Sequence, residues 1–326
     1  MIISYRSENN FINSSDWLSM NEIAKRQIEY CTVKEKDIKN VRKIDIDKNS
    51  SNILITTFAS GFGDHITAAI FCQILSKNGY NVSYAYNKKG KDRDFSVVLE
   101  NIIDTFDITD IKKEYFYNID FLKNNGFNFS YSYSYSRACP YNMIFQNLLR
   151  FGIYDLKTPI DGFVINKNKL NNNCEYYDVI MMLESGRGQP IRGYALSREL
   201  EDIIKSNGLK VLNINAKLSS NLGLIEFLSL VSKSKIYIGI ETGPTHAASW
   251  ISKKSIILQS GLHSSCLWNI YNKSHIIESD WPCSIGVWKK RSLLHDCKKY
   301  EDCIYSNACI NRYNPKDIFG IVAKEL

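Results

Sequence analysis

From Asn52 onward the chain alternates short apolar runs with longer stretches whose apolar positions recur every three or four residues. Asn52–Phe58, Val82–Tyr86, Tyr177–Leu183, Leu209–Asn215, Ile236–Ile240 and Ser255–Gly261 read as strands. Such short, nearly continuous runs suit a parallel sheet covered on both faces. Between them lie helical patterns. Ile66, Ala69, Ile70 and Ile74 fall on one stripe, stopped by Asn78-Gly79. Phe95–Asp104, Asn142–Gly152, Tyr194–Asn207 and Leu222–Ser232 are further helices, and a glycine ends the second and third of them. Another helix begins at His246-Ala-Ala, after Gly243 and Pro244, and Pro315–Lys324 forms a terminal one, expected to pack across an interdomain cleft. Phe127–Ser136 alternates aromatic residues with mostly serine at period two. That pattern reads as a half-buried strand, with an aromatic platform for a sugar as the functional alternative. Strand and helix in alternation predict an α/β fold with parallel sheets and helices on both faces.

Organisation along the chain follows. Residues 1–51 are polar and mixed in charge and read as an N-terminal extension, with one amphipathic helix over Ser15–Glu29. Residues 52–155 form a first domain, 156–174 a linker with Pro159 and several Asn and Lys, 175–314 a second domain, and 315–326 the terminal helix. A length of 326 residues suits two domains. With 44% hydrophobic residues the chain can fill a sizeable core, and no run approaches the roughly 18–20 apolar residues of a membrane span. The N-terminus lacks a basic region followed by an apolar run, so a cytoplasmic protein is expected. The net charge of +7 suits an anionic substrate or the surface of an anionic membrane. No basic run with interleaved aromatics points to nucleic acid.

Three loops carry candidate chemistry. After the first strand, Ala59-Ser-Gly-Phe-Gly-Asp-His65 lacks the third glycine of a dinucleotide fingerprint and the G-K-[ST] of a Walker loop. Asp64 reads either as the cap of the helix it opens or as a carboxylate placed to take a proton from an acceptor hydroxyl. His65 is a reserve for the base or for donor contact. Glu184–Arg192 follows a buried strand, and its Arg187 and Arg192 suit the forked pairing of a diphosphate, or simply a solvated basic loop. Glu241-Thr-Gly-Pro-Thr-His246 follows the strand Ile236–Ile240. Strand, glycine turn and helix N-terminus make an anion site when donors and dipole point the same way. An ordinary turn with a capping Thr and a packed His has the same sequence. Nine cysteines, an odd number, argue against a disulfide framework in a chain without a signal. Cys283, Cys297, Cys303 and Cys309 cluster in the tail beside His295. They read as free thiols or as a structural metal site, though no C-x2-C pair marks one.

The Glu241–His246 loop, followed by small residues, resembles the D-[ST]-G-x-x-H-x-A signature of the ADP-heptose glycosyltransferases, glycosyltransferase family nine. Glu241 stands where that signature has Asp, one methylene longer. The Gly63-Asp64 step and its flanks resemble the family's first loop, and the tail resembles its cysteine-bearing end. The resemblance covers roughly Asn52 to Leu326 and is poor from about 87 to 140. It implies a GT-B fold, two Rossmann-like domains facing across a cleft. It implies a nucleotide-sugar donor held by Gly61, Gly63, Arg187, Arg192, Glu241, Thr242, Gly243, Pro244 and His246, with Asp64 as general base and no catalytic metal. The reaction expected is inverting transfer of a sugar, heptose from ADP-heptose first, to a hydroxyl of lipopolysaccharide core at the inner face of the membrane. A Ser or Thr hydroxyl of an autotransporter is the alternative acceptor, and related enzymes hold iron or zinc in a cysteine finger. A silent nucleotide-sugar-binding scaffold is the alternative of another class, kept open by Glu241.

Overall fold

The computed structural model describes residues 3–5, 44, 46–47, 51–57, 62–86, 99, 103–133, 143–153, 165–184, 193–215, 218, 221–259, 274–277, 308–311 and 313–326. The chain divides into two compact units, Met1–Lys169 and Leu170–Leu326. Each is built on its own sheet, and every described strand pairing is parallel.

The first unit contains β1 (Ile3–Tyr5), β2 (Asn52–Thr56), α1 (Phe62–Lys77), β3 (Asn81–Tyr86) and β4 (Asp104–Asp107), then α2 (Ile119–Asn124), β5 (Phe129–Ser132) and α3 (Met143–Leu148). The sheet order is β1-β5-β2-β3-β4. Counted from β2 this is the 3-2-1-4 order of half a Rossmann fold, with β1 added at the edge. Ile53, Leu54 and Ile55 have no exposed surface, as expected of a strand covered on both sides. Helix α1 is buried along almost all of Ile66–Gln73, a broader face than the single stripe the periodicity suggests. It ends where Gly79 takes φ 86°. There Tyr80 N donates back to Leu75 O at 3.1 Å, closing the last turn.

Three local expectations change in this unit. The helix read over Phe95–Asp104 includes Leu99, but Asp104 opens β4 instead. This edge strand is four residues long and acidic at both ends, too short for periodicity to reveal. The strand read as half-buried is buried on both faces, because Ser130 and Ser132 are covered as fully as Phe129 and Tyr131. Ser130 satisfies its hydroxyl by donating to Phe116 O at 2.6 Å. Tyr131 stacks near Phe71 and Phe151 and donates to Asn147 Oδ1 at 2.7 Å, so these aromatics form core and offer no platform for a sugar. Within residues 1–51, β1 pairs with β5, Ile3 opposite Phe129. The helix read over Ser15–Glu29 lies outside the described residues.

The second unit contains β6 (Val179–Met182), α4 (Ser197–Ser206), β7 (Val211–Asn213), α5 (Leu224–Lys233), β8 (Ile236–Ile240), α6 (Gly243–Ile251), β9 (Lys254–Leu258), β10 (Ser274–Ile277), α7 (Ala308–Asn311) and α8 (Pro315–Glu325). Its order, β10-β9-β8-β6-β7, is the 2-1-3-4-5 doubly wound arrangement counted from β6. Val179, Ile236, Ile238, Ile256 and Leu258 form one core with Leu200 and Ile204 of α4 and Ile318 and Val322 of α8. The terminal helix therefore packs against α4 within this unit. Tyr194 donates to Tyr313 O at 2.5 Å, and Tyr313 donates to Gln259 O at 2.7 Å, tying the tail to the end of β9.

Candidate functional site

In an open parallel sheet, ligands bind beyond the carboxyl ends of the strands where the direction of winding reverses. In the first unit that point lies between β2 and β5, whose ends are joined by Tyr133 N donating to Thr56 O at 2.6 Å. The chain leaves β2 and enters α1 at Phe62, so Gly63, Asp64 and His65 form its first turn, each half-buried. Asp64 is thus the third residue inside the helix, three positions past the cap. Its charge there suits the positive end of the helix dipole. Thr67 Oγ1 lies 3.1 Å from the carbonyls of both Gly63 and Asp64 and braces the turn.

His65 turns toward β3. Its Nδ1 lies 2.6 Å from Tyr84 Oη, and its ring meets Tyr84 and Tyr86 edge-on. Tyr84 is fully buried, and burial first, then neighbouring charge including that of Asp64, pushes its phenol well above the ordinary range. Gly61 lies outside the described residues.

In the second unit the winding reverses between β6 and β8. Two loops meet the sheet there. The loop after β6 is pinned at both ends, because Tyr194 N donates to Leu183 O at 2.9 Å. Arg187 and Arg192 belong to this loop and lie outside the described residues. The loop after β8 is short. Glu241 is buried at 2% exposure, Thr242 is the N-cap of α6, and Gly243 and Pro244 are its first two residues. The helix thus starts three residues before His246, because Pro244 suits a first turn that needs no N–H from it. His246 is buried at 6% exposure within that helix, leaving little ring surface for a ligand. The Thr242 side chain does not cap the helix, so it leaves the first-turn amides of Gly243 and Thr245 untaken.

Sequence reading passed over the support beneath this loop. Tyr237 and Gly239 share one face of β8, and the tyrosine ring lies across the glycine. A Cβ at Gly239 would stand 2.6 Å from both Tyr237 Cε1 and Thr245 Oγ1. Tyr237 Oη meets Thr245 Oγ1 at 3.0 Å, so Thr245 faces inward rather than toward a ligand. A glycine inside an otherwise bulky strand run was the available signal, since it marks a close approach. Among the described residues no group of three or more His, Cys, Asp or Glu could hold a metal. Cys283, Cys297 and Cys303 lie outside them, as does the side chain of Cys309 in α7.

Two Rossmann-like units, each a parallel sheet with its loops gathered at a switch point, make up the GT-B fold of glycosyltransferases. The chain is similar in structure to the dodecameric iron-containing heptosyltransferase TibC solved with ADP-D-beta-D-heptose: TM-score 0.61, 12% identity, 86% of this chain and 77% of that one. TibC from enterotoxigenic E. coli H10407 gives the same values. A glycosyl transferase family 9 protein from Veillonella parvula DSM 2008 has a TM-score of 0.56 and 10% identity over 87% of this chain and 99% of that one. No family model matches the sequence, and no curated protein matches it.

Proposed function

We propose that this chain is an inverting glycosyltransferase that moves heptose from ADP-heptose to a hydroxyl of a bacterial surface glycan of the lipopolysaccharide core type. The observation that carries this reading is the uncapped, glycine-initiated N-terminus of α6 at the switch point between β6 and β8. It lies in a fold shared with TibC, whose structure holds ADP-D-beta-D-heptose. Asp64 takes the proton of the acceptor hydroxyl, whose oxygen attacks the anomeric carbon as the bond to the diphosphate breaks on the opposite face. The amides of Gly243 and Thr245, the Thr242 hydroxyl and the α6 dipole stabilise charge developing on the departing diphosphate. Arg187 and Arg192 pair with its oxygens. Glu241 keeps the acidic position of the resembling signature at longer reach. The tail thiols Cys283, Cys297, Cys303 and Cys309 form a structural zinc or iron site, a ligand set suited to either metal. That cysteine tail favours a second acceptor, a Ser or Thr hydroxyl of a surface protein.

Thermal unfolding with ADP, GDP, UDP, CMP and ADP-heptose tests the donor. A ligand at 100 times its Kd stabilises the folded state by about 2.7 kcal/mol. The expected result is a shift selective for ADP and larger for ADP-heptose. A shift with GDP or UDP alone discards heptose and keeps the transfer. No shift with any of them removes donor binding.

A further inference from the structure

Tyr237, Thr245 and Thr242 form a row of hydroxyls under the loop that follows β8. Tyr237 and Thr245 have no exposed surface, and Thr242 is 9% exposed. Thr245 Oγ1 stands between the other two, 3.0 Å from Tyr237 Oη and 3.2 Å from Thr242 Oγ1. Ring and hydroxyls occupy the space that Gly239 leaves open. A strand core needs none of these hydroxyls, and each costs free energy to bury without a partner. Placed in a row, they satisfy one another and leave one free end.

That end is Thr242. Its hydroxyl also reaches Ile240 O, but at 3.5 Å, beyond the usual range of about 2.5–3.0 Å for such a bond. Tyr237 is the inner end of the row: its hydroxyl meets Thr245, and its side chain has no exposed surface. If Tyr237 donates to Thr245, Thr245 is driven to donate to Thr242, and each bond polarises the next. We propose that Tyr237 is a positioning residue for the donor diphosphate: its phenol starts a directed chain through Thr245 that leaves the Thr242 proton aimed at an anionic oxygen at the N-terminus of α6. This rests on reading that loop as the diphosphate site. Tyr237 does not touch the ligand, so its effect passes through the two threonines.

Calorimetric titration of the full chain with ADP and with inorganic pyrophosphate tests it. Tyr237→Phe keeps the ring, which packs edge-on against Phe227 at 6.0 Å, and removes only the hydroxyl. Thr245→Val breaks the row at its middle with little change in volume. Each should weaken both ligands about three- to tenfold. Tyr237→Phe combined with Thr242→Ala should bind no more weakly than Thr242→Ala alone. Wild-type affinity in Tyr237→Phe and Thr245→Val, even with a lower melting temperature, would make the hydroxyls purely structural and overturn the chain while leaving the donor site standing. Additive losses in the double variant would also overturn it. If the wild type binds neither ADP nor pyrophosphate, the donor reading fails and this inference with it.

Discussion

Asp64 occupies the third position of α1, in the first turn and near the positive end of the helix dipole. Asp64→Ala should lower turnover by about 10²–10⁴-fold while donor affinity, measured by calorimetry, stays within a factor of two. Undiminished turnover would remove Asp64 from the mechanism and leave its role as a helix-terminus charge. Gly239 works by absence. A methyl group there would press on Tyr237 and Thr245 at 2.6 Å, and both side chains are fully buried with little room to retreat. Gly239→Ala should cost about 1–3 kcal/mol in urea denaturation, as overpacking does. It should also weaken ADP binding, because the strain falls on Thr245 in the first turn of α6. Loss of stability with full affinity would separate the strand core from the loop above it.

The strands of the second sheet are aligned from their other ends. Asp178, just before β6, accepts from Lys210 N at 2.9 Å and from Lys235 Nζ at 2.9 Å, the residues that lead into β7 and β8. Its own carbonyl accepts from Lys235 N and Ile236 N at 3.1 Å. One residue therefore sets three neighbouring strands in register, and the switch-point loops at the far ends inherit that alignment. The Lys210 amide first, then the Lys235 and Tyr176 side chains, hold the Asp178 carboxyl below its usual pKa. A lowered folded-state value gives stability that is complete above the unfolded value of about 3.9 and is lost as pH falls through the folded one. The urea midpoint of the wild type should drop as pH falls below about 5, and Asp178→Asn should flatten that slope. An unchanged slope would assign the acid response to other carboxylates, with Glu175, Glu201 and Glu325 next in line because each is also held low.

Each of the two units is built on a parallel sheet, with Asp64 in the first unit and the N-terminus of α6 in the second. The tail belongs to the second unit. Tyr313 closes on Gln259 and Ile277, and Ile310 of α7 is buried in that core. A metal held by the four tail thiols would lock this closing segment. Elemental analysis of the purified chain should find about one zinc or iron per chain, and Cys303→Ser should lower both metal content and melting temperature. Metal-free protein that melts with the wild type would leave the tail as ordinary thiols.

Ile236–Ile240 could be read as a buried strand because a short apolar run that soon meets Gly243-Pro244 has few other uses, and the same held for Val179–Met182, α4 with Gly208, and the break at Gly79. Local pattern and local stereochemistry agree at those places. The glycine-rich and threonine-rich turns that follow the strands were legible for the same reason. Long-range contact settled the rest. β4 and β1 are strands only because a neighbour supplies their hydrogen bonds, since three or four residues carry no periodicity of their own. The serines of β5 suggest a wet face by pattern alone, yet the carbonyl of Phe116, 14 residues earlier, satisfies Ser130 and lets it be buried. His65 received its partner from a strand 19 residues away, and Tyr237 its partner from the helix beyond the turn. Spacing along a chain tells which residues are apolar and where it can turn. Only packing decides which polar atoms meet, and those meetings set the direction of each hydroxyl and the reach of each charge at the site.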